Sequence, residues 1–443
     1  TPALPMDIDY IDTTKFELSG THQLDVGDLS WALAHQDGQH GMDNYQQRAI
    51  SSPIKARYTT AEANSISGFA HLTTGNWQIG YDAVLSTHDA DINNPHNPMF
   101  YVTNFNDVTD ERHSVFAQYT FSSKRLQSDV GVRYKANLSD AGNIGSSMAM
   151  MMPAVGRLQQ RFNGADKDVF DSTYDLTLNN VYTFNQHVSL TYAFALKQRA
   201  PQYQARYLWL PMQSTGGLAD GRTYTGNLDL KPENARQFNT GISLHSGRFS
   251  ISPQLFYQEV DDYIQGTPSD DMTVNMVAMM MSNSPALQFN NIDAKLYGID
   301  LTSRYQLNRQ WHLDVNASYV RGKRDDHLAD NLYRIAPANA QLNLVYSLHN
   351  LSAQASWRVY AQQHKVSKYN QEQTSPGYGV LNLTAHMDIS NAVRISAGIE
   401  NVFDKLYSPH LHGINRVNHT DTLVGERLSA LGRTVNLGIS MRL

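Results

Sequence analysis

The sequence of 443 residues contains no cysteine, which removes disulfide frameworks, thiolate metal sites and cysteine nucleophiles together. It also has no apolar run near the ~20 residues that a membrane-spanning helix needs, and its mean hydropathy is -0.45. Neither absence excludes a membrane barrel, because each barrel strand alternates lipid-facing apolar residues with lumen-facing polar ones and averages polar. Positive charge is not in excess: 35 Lys and Arg stand against 41 Asp and Glu, a net charge of -6. With no long basic block either, no nucleic-acid partner is expected. No signal-peptide pattern begins at Thr1, so a secreted protein would be seen here after processing or as a fragment. No self-similar repeat marks a propeller or solenoid. No Gly-rich phosphate loop, zinc helix motif or Ser-His-Asp spacing stands out, and an enzyme is not expected, although triad members need not be neighbours in sequence.

What is present is a period of two. Trp77, Ile79, Tyr81, Ala83 and Leu85 share one face while Gln78, Gly80, Asp82 and Ser86 take the other, with Val84 the exception. The pattern returns at Leu126, Val130, Val132 and Tyr134, at Val188, Leu190, Tyr192, Phe194 and Leu196, and at Leu313, Val315, Ala317 and Tyr319. Strands of about ten residues suit a tilted crossing of a bilayer, whereas soluble strands average nearer five or six. Tyrosine at 24 copies exceeds phenylalanine at 15, in keeping with rings that need one wet end at a membrane interface.

Connections alternate in length. Short polar turns fall at 74–76, 122–124, 185–187, 246–247, 308–310, 349–350 and 390–392, and long segments at 87–111, 139–170, 199–235, 261–290, 363–377 and 408–430. This rhythm predicts an all-β, antiparallel transmembrane β-barrel in the bacterial outer membrane, with tight turns at the periplasm and long loops outside. Counting gives about 17 strands from near Lys15 to Leu443, with residues 1–14 the tail of an outside loop. A closed single-chain bacterial barrel has an even number of strands, so at least one strand is expected before Thr1, and residues 1–443 are expected to form part of a barrel.

The run Ile399-Glu400-Asn401-Val402-Phe403-Asp404-Lys405-Leu406-Tyr407, followed by Leu431-Gly432-Arg433 and the stretch to Leu443, resembles the last two strands of TonB-dependent receptors. Asn227-Leu228-Asp229-Leu230-Lys231-Pro232-Glu233 resembles the family's N-x-x-L-K-P-E stretch, and Arg199-Ala200-Pro201 its upstream R-A-P. The resemblance covers roughly residue 195 to the end, and about nine strands follow the Lys-Pro-Glu motif, as is usual in the family. It implies a barrel of about 22 strands, a plug domain inside it and an N-terminal box that engages TonB. Plug, box and first strands are expected to be missing from this chain. Such barrels usually end in an aromatic residue, whereas here Leu443 continues the lipid-facing set of Val435, Leu437, Ile439 and Met441.

Eight of the 15 methionines lie in two long segments, at Met148, Met150, Met151 and Met152 and at Met276, Met279, Met280 and Met281. Thioethers are soft, neutral ligands that favour Cu(I). An extended loop would align Met148, Met150 and Met152, and a helical turn Met276, Met279 and Met280; these six are the candidate metal ligands. The bland alternative is that they fill gaps between packed loops. The second cluster, followed by Asn291 to Gly298, and the stretch from Tyr407 to His410 are similar to the copper branch of the family, where a plug-borne ligand pair completes the site. That resemblance implies active import with copper as cargo, no catalytic cofactor, and TonB, outer-membrane lipid and lipopolysaccharide as partners.

His96, Met99, His410, His412 and His419 are weaker candidates for Cu(II), since isolated loop histidines are mostly solvated. A ferric-siderophore or haem receptor remains the alternative, with Tyr203, Arg206, Tyr207 and Trp209 as its candidate residues or, equally, as an aromatic girdle. A passive porin is the third reading.

Overall fold

Strict alternation over ten or more residues is stable only where each strand separates two environments, and the structure is built as such a wall. The computed structural model describes residues 3–215 and 219–442. Its strands are β1 (Asp7–Leu24), β2 (Gly27–Asp43), β3 (Tyr58–Thr74), β4 (Trp77–Asn94), β5 (Asn97–Ser122) and β6 (Leu126–Asp140). There follow β7 (Val169–Asn185), β8 (Val188–Arg199), the two-residue β9 (Tyr224–Thr225), β10 (Glu233–Ser246), β11 (Phe249–Pro268) and β12 (Leu287–Gln306). The last are β13 (Trp311–Arg324), β14 (Asn339–Leu348), β15 (Leu351–Tyr360), β16 (Tyr378–Asp388), β17 (Val393–Glu400) and β18 (Thr434–Met441). Helices α1 (Pro153–Asn163), α2 (Tyr203–Tyr207) and α3 (Met272–Ser282) all lie in long connections.

All eighteen strands belong to one sheet. Each long strand pairs antiparallel with the next, β8 passing directly to β10, while β9 adds a short parallel pairing to β12. Among the described residues no ladder joins β1 to β18. The predicted turns are tight: Gly75 and Gly247 take φ of +54° and +53°, a region that glycine enters without steric cost.

Two expectations need correction. Residues 7–14 are not a loop tail but the start of β1. Residues 87–111 are not a loop either, because β4 and the 26-residue β5 continue as a hairpin with its turn at Pro95 and His96. The local reason is that polar alternation beyond the membrane still favours strand pairing. Leu443 lies outside the described residues.

The outward face is apolar and exposed: Trp77, Ile79, Val130, Val132, Phe194 and Leu196 are each between 43% and 51% accessible. In water so continuous an apolar surface would drive aggregation; against hydrocarbon it is the favoured surface. Near the short turns the same face carries aromatic pairs, Trp77 with Tyr119 and Trp311 with Tyr346, each at 4.8 Å between centroids, as expected of an interfacial girdle. The opposite face is polar. Arg133 Nη1 reaches Asp82 at 2.5 Å and Ser114 at 2.8 Å, Asp82 also meets His71 at 2.8 Å, and Lys135 holds Asp175 at 2.9 Å.

One outward row of paired residues records the tilt of the strands. Ile79, Ala117, Val132, Leu176, Leu196, Arg236, Glu259, Lys295 and Lys323 are successive partners from β4 to β13. The row is apolar to Leu196 and charged from Arg236, so it climbs out of the hydrocarbon between β8 and β10.

The main buried core gathers where the loop-side ends of the strands meet the long connections, with a smaller cluster of Val260, Ile292, Ala294 and Leu332 at the loop-side ends of β11 and β12. In the main cluster Ile92, Val102 and Val108 of the β4–β5 hairpin meet Val155 and Leu158 of α1, Tyr207 to Leu210, and Val274, Val277 and Ala278 of α3.

Candidate functional site

Helix α3 explains how one methionine cluster is presented. Asp271 caps its N-terminus by accepting from Thr273 N at 2.7 Å and Val274 N at 3.1 Å, and Asn283 ends it with a left-handed φ of +55°. Val274, Val277 and Ala278 pack into the loop core. By helical spacing the opposite stripe is Met272, Met276, Met279 and Met280, and these are 81%, 51%, 48% and 54% exposed. The expected helical alignment of Met276, Met279 and Met280 is therefore what the structure contains, with Met272 added to the same face. Met281 instead packs against the core.

The other cluster is divided. Residues 147–150 form a single 3-10 turn capped by Ser146, and Met152 sits at the N-cap of α1. The extended arrangement expected for Met148, Met150 and Met152 does not occur, because the Met148 carbonyl accepts from both Met151 N and Met152 N and curls the chain. Met148 is buried and Met152 packs on the core, whereas Met150 is 93% exposed. Met148 and Met152 thus serve as filler, and Met150 alone of this trio faces outward. The two segments are brought close by packing of α1 on α3 and by an ion pair from Arg161 to Asp271.

Burial of the Asp271 carboxyl opposes its ionisation, but the Arg161 guanidinium and the helix N–H groups outweigh this and hold its pKa below the ordinary 3.8. A lowered folded-state pKa stabilises the native state above the unfolded value, and that stabilisation is lost as pH falls through the folded value. Protection of α3 from amide exchange, taken relative to the intrinsic rate at each pH, should therefore hold from pH 7 to about pH 5 and fall, relative to the wall strands, only below about pH 4. Loss of protection beginning near pH 6 would point to a histidine instead.

A second set of soft donors was not singled out by the sequence. On the inner face of β2, His40 and Met42 alternate onto a cavity of about 530 Å³ that is also lined by Met6, His88, Asn104 and Tyr203. The signal was the spacing His40-Gly41-Met42, which puts both side chains on one side of a strand. Met6 is buried and its sulfur accepts from Thr59 Oγ1 at 3.2 Å. His88 stacks on Tyr203 at 4.3 Å and 13°. Asn104 is 4% exposed and its Oδ1 has no hydrogen-bond partner, leaving an acceptor for a polar or hydrated ligand. Among the described residues no three His, Asp or Glu side chains are grouped so as to hold a metal.

Of the histidines expected as weaker candidates, His410 and His412 line one cavity, while His96 stands apart from them. His96 lies edge-on to Tyr45 at 6.0 Å, and Met99 is exposed. His412 bonds Leu428 O at 3.2 Å. His410 is buried between Ser375 Oγ at 3.0 Å and Glu372 at 3.1 Å. Glu372 in turn accepts the backbone N–H of Arg334 and of Ser367, each at 2.9 Å, so this trio clasps separate loops.

The aromatic and arginine set also differs from expectation. Arg206, Tyr207 and Trp209 are 3%, 0% and 5% exposed and do not girdle the membrane, while Tyr203 and Arg206 line one cavity among the loops. Arg206 Nη2 donates to Asp171 at 2.8 Å and to Leu230 O at 3.0 Å. Trp209 Nε1 donates to Thr103 O, and Tyr207 OH to Lys167 O. The loop core that buries them is assembled from distant segments.

The motifs are staples. Arg199 of R-A-P and Glu233 of K-P-E are direct partners across β8 and β10, joined at 2.7 Å. Asn401 bonds the Lys405 N–H and carbonyl at 2.9 Å, while Asp404 accepts from Arg433 N at 2.8 Å.

A lipid-facing wall, a polar inner face and a loop core over one rim are the make-up of an outer-membrane β-barrel of the receptor type. The chain belongs to the family described as TonB dependent receptor-like, beta-barrel, whose profile matches residues 3–402; such barrels reside in the bacterial outer membrane. No curated protein sequence matches the chain. Among solved structures it is similar to the copper transporter OprC, with 18% identity, a TM-score of 0.80, and coverage of 99% of this chain and 66% of that one. It is also similar to the ferric enterobactin receptor PfeA, at 16% identity and TM-score 0.66, covering 97% and 62%. The ferric yersiniabactin receptor FyuA from Yersinia pestis gives 14%, 0.63, 97% and 61%. The chain thus spans just under two thirds of each of these three structures.

Proposed function

We propose that this chain forms the wall of a receptor that imports copper across the outer membrane with energy delivered by TonB. Long loops face outside and short turns the periplasm; a plug gates the lumen, supplies further ligands and engages TonB. Copper is the cargo, and no catalytic cofactor takes part.

The observation that carries the copper reading is the exposed methionine face of α3. A helix that buries Val274, Val277 and Ala278 needs no apolar residue on its other side, yet four exposed methionines stand along that side. Met276, Met279 and Met280, with Met150 of the neighbouring segment, are the ligands we assign; thioethers hold Cu(I) and discriminate against Zn, Fe and Mg. Met148 and Met152 take part only by fixing the bed on which α1 and α3 lie. His40, Met42 and His88 offer further donors deeper in the lumen.

The intact receptor should bind Cu(I) or Ag(I), measured by competition with a chromophoric chelator, and show no comparable binding of Zn(II). Binding of a ferric chelate or haem in place of Cu(I) would overturn the assignment, and energy-independent flux of small sugars into liposomes would mark a porin. One feature favours the chelate as second reading: Tyr360, Tyr378 and Tyr407 stack at 4.7 and 4.5 Å on an inner-face cavity of about 510 Å³ that also presents Arg358.

A further inference from the structure

The chain has no cysteine, so the sulfur that an oxidant meets is always a methionine thioether. Its 15 methionines are not equally open to attack. Met150, Met151, Met272, Met276, Met279 and Met280, all borne on the two loop segments, are between 48% and 93% accessible. Met148 and Met212 are buried, and Met152 and Met281 pack against the loop core. Since exposure decides which sulfur a water-borne oxidant reaches, even sequence neighbours are sorted. Met280 is open while Met281 is held on the core.

Oxidation has opposite consequences at the two kinds of position. Hydrogen peroxide delivers one oxygen atom to sulfur: the S–O bond forms as the O–O bond breaks, sulfur gives up an electron pair, and water leaves. Hypohalous acid gives the same sulfoxide, releasing halide and a proton. The product is polar where the thioether was apolar. At Met148 the new oxygen would sit inside the loop core, at the cost of burying a polar group there. On the open side of α3 it stays hydrated. The helix keeps its Asp271 cap, its ion pair to Arg161 and the burial of Val274, Val277 and Ala278, none of which depends on the methionine face.

We propose that the exposed methionine face of α3 is a modification site, at which sulfoxide formation by peroxide or hypohalous acid switches off Cu(I) capture and leaves the fold intact. The switch rests on the copper reading above. Oxidation replaces a soft sulfur donor by a hard oxygen, which Cu(I) does not favour. Helical spacing makes the response shared, because Met276 has Met272 four residues before it and Met279 and Met280 three and four after it on one side. A site that needs two or three thioethers fails once one or two are converted. The receptor would thus stop capturing a redox-active metal when peroxide is present, the pairing in which Cu(I) reduces peroxide to hydroxyl radical.

The test treats the detergent-purified intact receptor with graded hydrogen peroxide, maps sulfoxide by peptide mass spectrometry and measures Cu(I) affinity on the same samples. Met276, Met279 and Met280 should oxidise at least ~10-fold faster than Met148 and Met281. Cu(I) affinity should fall about 100-fold as they do, with unboiled-gel migration unchanged, and methionine sulfoxide reductase should restore it. The variant Met148→Leu/Met281→Leu, which withdraws the buried thioethers from attack, should lose affinity on oxidation to the same extent. If that variant is protected, the core methionines carry the effect and the α3 face is not the switch. Equal oxidation rates at open and buried sulfurs, or full Cu(I) affinity after the face is oxidised, would overturn the switch alone. Absence of Cu(I) binding before any oxidation would instead overturn the import assignment beneath it.

Discussion

Replacing Arg206 by alanine should loosen the whole loop assembly, at a cost of about 3–5 kcal/mol, the range for breaking a buried ion pair from one side. The Arg206 side chain is 2% exposed and that of Asp171 is 9% exposed. Besides Asp171, Arg206 holds the Leu230 carbonyl at 3.0 Å and Ser139 Oγ at 3.2 Å, so a single guanidinium ties β6, β7, α2 and the stretch before β10. Truncation leaves the Asp171 carboxylate buried without its cation and frees three connections at once. Limited proteolysis should cut the 200–232 region much faster, while the strand ladders stay protected. Removing Asp171 as well should recover part of the loss, since no orphaned charge then remains. Unchanged proteolysis in the single variant would show that the apolar loop core suffices without it.

The triple variant Met276→Leu/Met279→Leu/Met280→Leu should lower Cu(I) affinity of the intact receptor by at least about 100-fold, because outer-shell changes alone cost 10–100-fold at metal sites. Leucine keeps most of the volume and deletes only sulfur, so the fold should lose little. Exposure makes this separation clean: the three side chains are 51%, 48% and 54% accessible and support no core. Met148→Leu and Met152→Leu are the matching controls, and they should leave Cu(I) affinity within about twofold while changing loop stability by less than ~1.5 kcal/mol. If the triple variant binds copper as wild type does, the methionine face is not the site, and the cavity bearing His40 and Met42 becomes the next to change.

Part of this architecture is local and was therefore legible without coordinates. Alternation in Trp77 to Leu85 or Val188 to Leu196 states which residues face lipid, because a strand repeats every two residues whatever surrounds it. Tight turns such as the one at Gly75 are equally local. The Asn-Val-Phe-Asp and Lys-Pro-Glu motifs pointed to the family, yet their purpose was not readable from the chain alone. Only the paired strands reveal that Glu233 reaches back to Arg199 and Asp404 forward to Arg433.

Tertiary structure decided everything that depends on how distant loops meet. Met148 and Met150 are two residues apart and chemically identical, but one is buried under α1 and the other is 93% exposed. Tyr207 and Trp209 vanish into a core supplied by Val102, Val155 and Val277. Burial there is a property of four connections packed together, and no period of two or of 3.6 encodes it. The sequence by itself determined the wall and its two faces, since each strand carries its own pattern; the loop core, the exposed thioethers and the cavity under His40 arise only where the connections close over one rim.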